Sequence, residues 1–148
     1  MPALLLIGAS ARGQAVSYLT HTLDGAEYRV GQGAPTTLVA VFATWCTSCK
    51  QEFATLDSLR GRLAPRGIRI LALSVDEASD AVVQRYVTAR RTRLSVAHDG
   101  SGAVGRTFHV TGVPESVLVD SLGAVRWRGR GAMDPKDAKF LEAVTALR

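Results

Sequence analysis

The sequence is poor in cysteine: only two of its 148 residues are cysteines, and both lie in one short stretch, residues 45–50. A structural zinc site takes four ligands, and no second cysteine pair is present to complete one. The three histidines, His21, His98 and His109, are scattered and lack the close spacing of zinc ligands. A disulfide-rich framework is excluded, and a structural zinc site is disfavoured.

Long apolar runs, internal repeats and low-complexity tracts are also absent. The first apolar run, residues 3–7, is too short to span a bilayer, and we interpret residues 1–15 as a loose arm or the remnant of a secretion signal or membrane anchor. Hydrophobic residues make up 47% of the chain, which is enough for a real core. We therefore predict one globular domain over residues 16–148.

Strong charge of either sign is missing, since the net charge is only +5. Arg126, Arg128 and Arg130 alternate along a predicted strand, which places them on one face. No nucleic-acid-binding motif accompanies them. We interpret these arginines as a solvated basic face and predict no nucleic-acid partner.

The stretch that contains Cys46 and Cys49 lies between a predicted strand and a predicted helix. Residues 38–43 form an apolar run typical of a buried strand, and apolar residues recur at helical spacing after Cys49. A helix N-terminus favours an anion and lowers the pKa of a thiol placed there. The position thus makes Cys46 a nucleophile. A purely structural disulfide is the alternative, but its loop of about four residues would add little stability.

The remaining pattern alternates strands and helices. Asp24-Gly25 predicts a hairpin between residues 16–23 and 27–30, and residues 68–75 read as a second buried strand. Asp134 and Pro135 are typical of the first residues of a last helix.

In this order, the motifs resemble the thioredoxin superfamily, and within it the TlpA/ResA/CcmG (DsbE) type of extracytoplasmic thiol-disulfide oxidoreductases. The segments that carry the resemblance are Phe42-Ala43-Thr44-Trp45-Cys46, Cys49-Lys50-Gln51-Glu52-Phe53, Gly112-Val113-Pro114-Glu115 and Leu118-Val119-Asp120. The resemblance implies an α/β fold with a central mixed β-sheet flanked by helices, here with an N-terminal β-hairpin extension. It also implies a location outside the cytoplasm.

The resemblance assigns roles to single residues. Cys46 corresponds to the attacking thiol, Cys49 to the resolving thiol, and Pro114 to the cis-proline opposite the disulfide. Glu52 and Glu115 correspond to acidic residues near the active site of relatives, where a carboxylate would make the thiolate costlier and favour the disulfide.

Four further residues are expected to contact the substrate, and one more acid to lie near the site. The substrate contacts are Trp45, Thr47, Ser48 and Val113, and the further acid is Glu77. The dipeptide between the cysteines lacks the proline common in relatives, so their reduction potential does not transfer to this chain.

The function implied is reduction of disulfides in partner proteins, as in cytochrome c maturation or a related process. The expected partners are a disulfide-bearing substrate protein and an upstream thiol reductant, which is membrane-linked in such relatives. We expect a monomer that needs no metal or organic cofactor, because the cysteine pair holds the electrons. A thiol peroxidase of peroxiredoxin type and a copper-binding chaperone remain alternatives.

Overall fold

A computed structural model describes residues 13–147. The interpretation of residues 1–15 as an arm or a signal or anchor remnant therefore falls, for residues 1–12, outside the described residues. The strands are β1 (Ser17–His21), β2 (Glu27–Gly31), β3 (Thr37–Phe42), β4 (Arg69–Ser74), β5 (Ser95–His98), β6 (Glu115–Val119) and β7 (Val125–Arg130). The helices are α1 (Thr47–Leu63), α2 (Asp80–Ala89), α3 (Ala103–Phe108) and α4 (Ala138–Ala146).

Five strands form one mixed sheet in the order β5-β4-β3-β6-β7. β3, β4 and β5 run parallel to one another, whereas β6 pairs antiparallel with β3 and with β7. Every residue of β3 is buried, as expected for a central strand covered on both faces. The predicted mixed sheet is confirmed, and its central strand leads directly into the cysteine turn.

Helices cover one face of the sheet, and a helix with a hairpin covers the other. On the first face α1, α2 and α4 contribute buried side chains such as Leu56, Val83 and Phe140. On the second face α3 packs beside the β1–β2 hairpin, where the rings of Tyr18 and Phe108 meet edge to face at 5.1 Å. Successive residues of β3 point to opposite faces of the sheet, so this strand contributes side chains to the hydrophobic core on each face.

The predicted N-terminal hairpin is present and is attached to the edge of the main sheet. The N–H of Leu23 donates to the carbonyl of Val96 in β5 at 2.8 Å. At the end of β2, Gly31 has a φ of +96°, and a Cβ there would lie 2.0 Å from the carbonyl oxygen of Val16. Only glycine fits this approach, so the hairpin closes tightly on the chain that enters it.

The prediction for the last helix was wrong at its start. Asp137, not Asp134, is the N-cap, and its carboxylate accepts the N–H of Phe140 at 2.7 Å. The same carboxylate also accepts the indole N–H of Trp127 at 3.2 Å. A tertiary contact therefore favours the later start over the Asp-Pro pattern. Across residues 13–147, none of the helices combines the length and the apolar character that crossing a membrane would require.

Candidate active site

The two cysteines lie where the sequence predicts, at the turn from β3 into α1. Cys46 is the N-cap of α1, its Sγ accepts the N–H of Cys49 at 3.3 Å, and the two residues form a disulfide with Cα atoms 5.4 Å apart. A backbone N–H of the first helical turn therefore points at the sulfur of Cys46. This arrangement stabilises negative charge on Cys46 once the disulfide is reduced.

The cysteines differ in access to solvent. Cys46 is 7% exposed, whereas Cys49 is fully buried at 0%. The residues between them, Thr47 and Ser48, are exposed, and the Ser48 hydroxyl lies 3.6 Å from Cys46 Sγ. An approaching partner can thus reach Cys46 and not Cys49. The geometry fits the assignment of Cys46 as the attacking thiol.

A buried carboxylate, Asp76, stabilises the turn that carries the cysteines through hydrogen bonds. Asp76, just beyond the end of β4, accepts hydrogen bonds from the Thr44 N–H at 3.0 Å, the Thr44 hydroxyl at 2.5 Å and the Ser74 hydroxyl at 2.6 Å. Burial by itself raises the pKa of Asp76, but these hydrogen bonds outweigh it and hold the pKa below its ordinary value. The carboxylate stays ionised and fixes the backbone two residues before Cys46.

Glu52 lies one helical turn after Cys49, and it is buried rather than solvated. Its side chain is 5% exposed, and its Oε1 accepts the N–H of Met133 at 3.1 Å. Among residues 13–147 it has no salt-bridge partner. Burial raises the pKa of Glu52 from 4.5 to about 7, and the Met133 hydrogen bond opposes this only in part. A group that exchanges its proton near neutral pH thus lies on the helix that carries both cysteines.

The loop between α3 and β6, residues 109–114, borders a cavity beside Trp45. The Val113–Pro114 peptide bond is cis, and Val113 packs against the hydrophobic cluster that includes both cysteines. Trp45 is 73% exposed, and it lines a mainly apolar cavity of about 310 Å³ together with Val113 and Glu77. Trp45 is therefore neither a core nor a rim-packed aromatic. Its indole is available to a ligand or partner.

The surroundings of Glu115 and Arg128 differ most from those predicted from the sequence. Glu115 is 2% exposed, and its carboxylate lies 2.7 Å from the Arg128 guanidinium. Arg128 is therefore not part of a solvated basic face, because its charge compensates a buried acid. The interpretation of the three arginines as a uniform exposed stripe was wrong for this residue. It holds better for Arg130, whose side chain is 70% exposed.

Two contributors were missed by reasoning from the sequence. Asp76 has no role in the sequence-based interpretation, although a carboxylate that follows the strand beside the cysteine turn is well placed to hydrogen-bond to that turn. Arg128 carried a signal in its alternation along β7, but the pattern does not say which arginine meets an acid. In both cases the partner is distant in sequence, at Thr44 and Glu115 respectively.

The described residues offer little for a metal. Across residues 13–147, no three or more His, Cys, Asp or Glu side chains are grouped so that they could hold an ion.

Comparison with curated proteins finds thiol-disulfide proteins among the relatives. The chain is 31% identical over 115 residues to the thiol:disulfide interchange protein DsbE of Yersinia pestis, which covers 78% of this chain and 57% of that protein. It is 32% identical over 105 residues to the thiol-disulfide oxidoreductase ResA of Bacillus thuringiensis, covering 70% and 60%. The chain therefore spans somewhat more than half the length of these relatives.

Solved structures share the fold. StoA from Bacillus subtilis superposes with a TM-score of 0.74 at 19% identity, covering 87% of this chain and 98% of that one. The sequence model of the AhpC/TSA family matches residues 14–128, a span that includes the cysteine turn, the loop before Pro114 and most of β7. The predicted thioredoxin-like fold is confirmed, and the chain belongs to the AhpC/TSA family.

Proposed function

We propose that this protein is a thiol-disulfide oxidoreductase that reduces disulfides in partner proteins outside the cytoplasm. The observation that carries the proposal is the position of the cysteine pair. Cys46 caps a helix at the surface, Cys49 is buried behind it, and an exposed Trp45 and Val113 border a cavity at the same edge. The relatives named as thiol:disulfide interchange proteins support the same chemistry.

The reaction needs only the two thiols. The Cys46 thiolate attacks one sulfur of the partner disulfide, which forms a bond between Cys46 and the partner and releases the other partner sulfur as a thiolate. Cys49 then loses its proton and attacks Cys46 Sγ, so that the intramolecular disulfide forms and the second partner sulfur leaves. Two electrons pass from the cysteine pair to the partner. No metal or organic cofactor takes part.

We assign Glu52 as the group that accepts the proton of Cys49 and later returns it. It follows Cys49 by one helical turn, and burial brings the pKa of its carboxyl to about 7. An acid with that pKa is ionised often enough to accept a proton at neutral pH and is protonated often enough to return one. Because Cys49 is fully buried, bulk water is not in contact with it to do this.

We assign substrate docking to Val113 and the residues around the cavity that Trp45 lines. Neither the N–H nor the carbonyl of Val113 has a hydrogen-bond partner within residues 13–147. An extended partner segment can pair with these groups as an added strand would. Trp45 then covers the apolar part of that segment, while Thr47 and Ser48 contact its rim.

We further propose that the protein acts as a reductant and is recharged by an upstream thiol donor. Glu52 is a buried acid with no salt-bridge partner among residues 13–147, so its charge disfavours the thiolate form and favours the disulfide. The reduction potential should then lie nearer that of thioredoxin, about −270 mV, than that of DsbA, about −120 mV. We expect a monomer, since the site is complete within one chain.

A peptide that contains one intramolecular disulfide tests the proposal. Reduced protein should open this disulfide stoichiometrically, and Cys46→Ser should abolish the reaction. Ser58→Ala, an exposed position on the same helix, is the matched control and should react normally. A protein that leaves the peptide oxidised but turns over hydrogen peroxide with a thiol donor would refute the proposal and favour the thiol peroxidase. Retention of Cu(I) by the reduced pair without any exchange would favour the copper chaperone.

A further inference from the structure

Arg128 makes two contacts that lead to the same loop. Its Nη1 donates to Glu115 Oε1 at 2.7 Å, and its Nη2 donates to the carbonyl oxygen of Phe108. Phe108 is the last residue of α3, and Glu115 is the first residue of β6. A single guanidinium therefore joins the residue before the loop to the residue after it.

The loop is tied at a third point through Glu115. The second carboxylate oxygen, Oε2, accepts the N–H of Thr111 at 3.2 Å. The carbonyl of Pro114 in turn accepts the N–H of Gly131, just beyond β7, at 2.9 Å. The two ends of the loop are held by Arg128 of β7 and by Gly131 just beyond it, and Thr111 within the loop is held by Glu115 of β6.

What the loop presents is a surface for partners. Val110 and Val113 both line the cavity of about 310 Å³ that Trp45 borders. The loop also begins with His109 in the left-handed region, at a φ of +55°, a conformation that is uncommon for non-glycine residues. The anchors therefore act together with the packing of Val113 on the hydrophobic cluster to set its position relative to Trp45.

The two neighbouring arginines on β7 carry the same charge as Arg128 but do not make its contacts. Arg126 reaches Asp120 at the far end of β6, at 3.5 Å, and its side chain is 41% exposed. Arg130 approaches Glu115 only to 3.9 Å and is 70% exposed. Arg128 is 24% exposed and is the arginine that contacts both Glu115 and Phe108.

We infer that Arg128 is a positioning residue for substrate docking, which holds residues 109–114 against the cavity through Glu115 and Phe108. The inference rests on the proposed function, because it assigns this loop to the disulfide partner. It also gives Glu115 a role other than tuning the cysteines. The carboxylate is the link between Arg128 and Thr111, and its charge is compensated.

The test separates docking from chemistry. Turnover of the peptide used above, which must dock, is measured with dithiothreitol as the electron source. Dipyridyl disulfide, which has no side chains to dock, reacts directly with dithiothreitol, so its rate is measured in a single turnover with protein that has been reduced and freed of dithiothreitol. Arg128→Met should raise the KM for the peptide about tenfold while kcat and the rate with dipyridyl disulfide stay within about twofold of wild type. Arg126→Met, two residues away on β7, should leave both substrates unaffected.

Two further variants guard against a trivial folding defect. Arg128→Lys can keep one of the two hydrogen bonds, so its increase in log KM for the peptide should be about half of that in Arg128→Met. Glu115→Gln/Arg128→Met removes both charges, so it should fold as well as wild type. The peptide KM should nevertheless remain raised, because the Phe108 carbonyl loses its hydrogen-bond donor and residue 115 is no longer held by a guanidinium. A peptide KM equal to that of Arg126→Met in this double variant, or an equal loss with both disulfides, would overturn the inference.

Amide hydrogen exchange makes the result independent of the proposed activity. Arg128→Met should speed exchange of the Thr111 N–H about tenfold or more, with no change in the amides of β3. If wild-type protein fails to reduce the peptide but the loop amides respond in this way, the proposed function fails and the positioning by Arg128 stands. Unchanged exchange at Thr111 would instead remove the positioning while leaving the disulfide chemistry intact.

Discussion

Glu52 and Glu115 are two acids with nearly the same burial and opposite surroundings. They are 5% and 2% exposed. Glu52 receives one backbone N–H, from Met133, and no cation from the described residues, whereas Glu115 receives the Arg128 guanidinium at 2.7 Å. Two acids of similar burial therefore differ in whether a cation from the described residues lies beside the carboxylate. We call the part of the site on α1, with Cys46, Cys49 and Glu52, the helix side, and it holds a group that exchanges protons. We call the part formed by residues 109–115 and Arg128 the loop side, and it holds an ion pair.

The largest expected effect is the loss of disulfide exchange when a cysteine on the helix side is replaced. Cys46→Ser should lower disulfide exchange by about three orders of magnitude or more, because no other described thiol is accessible. Cys49→Ser should instead accumulate mixed disulfides between Cys46 and the partner, visible on non-reducing gels. Alkylation of the reduced protein at mildly acidic pH should label Cys46 well before Cys49. Equal labelling of the two would mean that the helix N-terminus does not distinguish them.

The next effect concerns the stability of the loop side. Arg128→Met leaves the buried carboxylate of Glu115 with only the exposed Arg130, at 3.9 Å, and breaking a buried ion pair typically costs about 3 kcal/mol. Arg126→Met removes a half-exposed arginine and should cost less than about 1 kcal/mol. Urea unfolding of the two oxidised variants compares these values directly. A loss for Arg128→Met as small as for Arg126→Met would mean that water reaches Glu115 and that the ion pair is dispensable.

The helix side was easier to predict from the sequence than the loop side, for physical reasons. Cys46, Cys49, the buried strand and the helix after it are close in sequence, so spacing and periodicity determine their relative positions. The contact between Glu115 and Arg128 depends on the register of β6 against β7, which local pattern does not specify. The same holds for Asp76 and Thr44, which β3–β4 pairing brings together. The cap at Asp137 depended on Trp127 for the same reason.

A smaller effect tests Glu52 through the pH dependence of stability. Folding raises the pKa of Glu52 from 4.5 to about 7, so its contribution is complete below pH 4.5 and is lost as the pH rises to about 7. The difference amounts to about 2–3 kcal/mol. Glu52→Gln should remove this loss, so the oxidised variant should be more stable than wild type at pH 8 but not at pH 4.

Unfolding in urea across this pH range provides the measurement, and Glu142→Gln, an exposed position on α4, provides the control. The control should follow the wild-type curve at every pH. A Glu52→Gln curve that also follows wild type would show that Glu52 is ionised at an ordinary pH, and it would then be unsuited to exchange a proton with Cys49.

The smallest expected effect compares the two acids through the reduction potential. When Glu52 is ionised, its charge disfavours the Cys46 thiolate and stabilises the disulfide, so Glu52→Gln should make the protein more oxidising by about 30 mV at pH 8. At pH 6 the shift should nearly vanish, because the pKa of about 7 leaves Glu52 mostly protonated in the wild type. Glu115→Gln/Arg128→Met removes a compensated pair and should not move the potential at either pH. Equilibration with dithiothreitol buffers measures all three proteins. A shift in the double variant as large as in Glu52→Gln would show that the Arg128 charge does not cancel that of Glu115, and that both acids tune the cysteines.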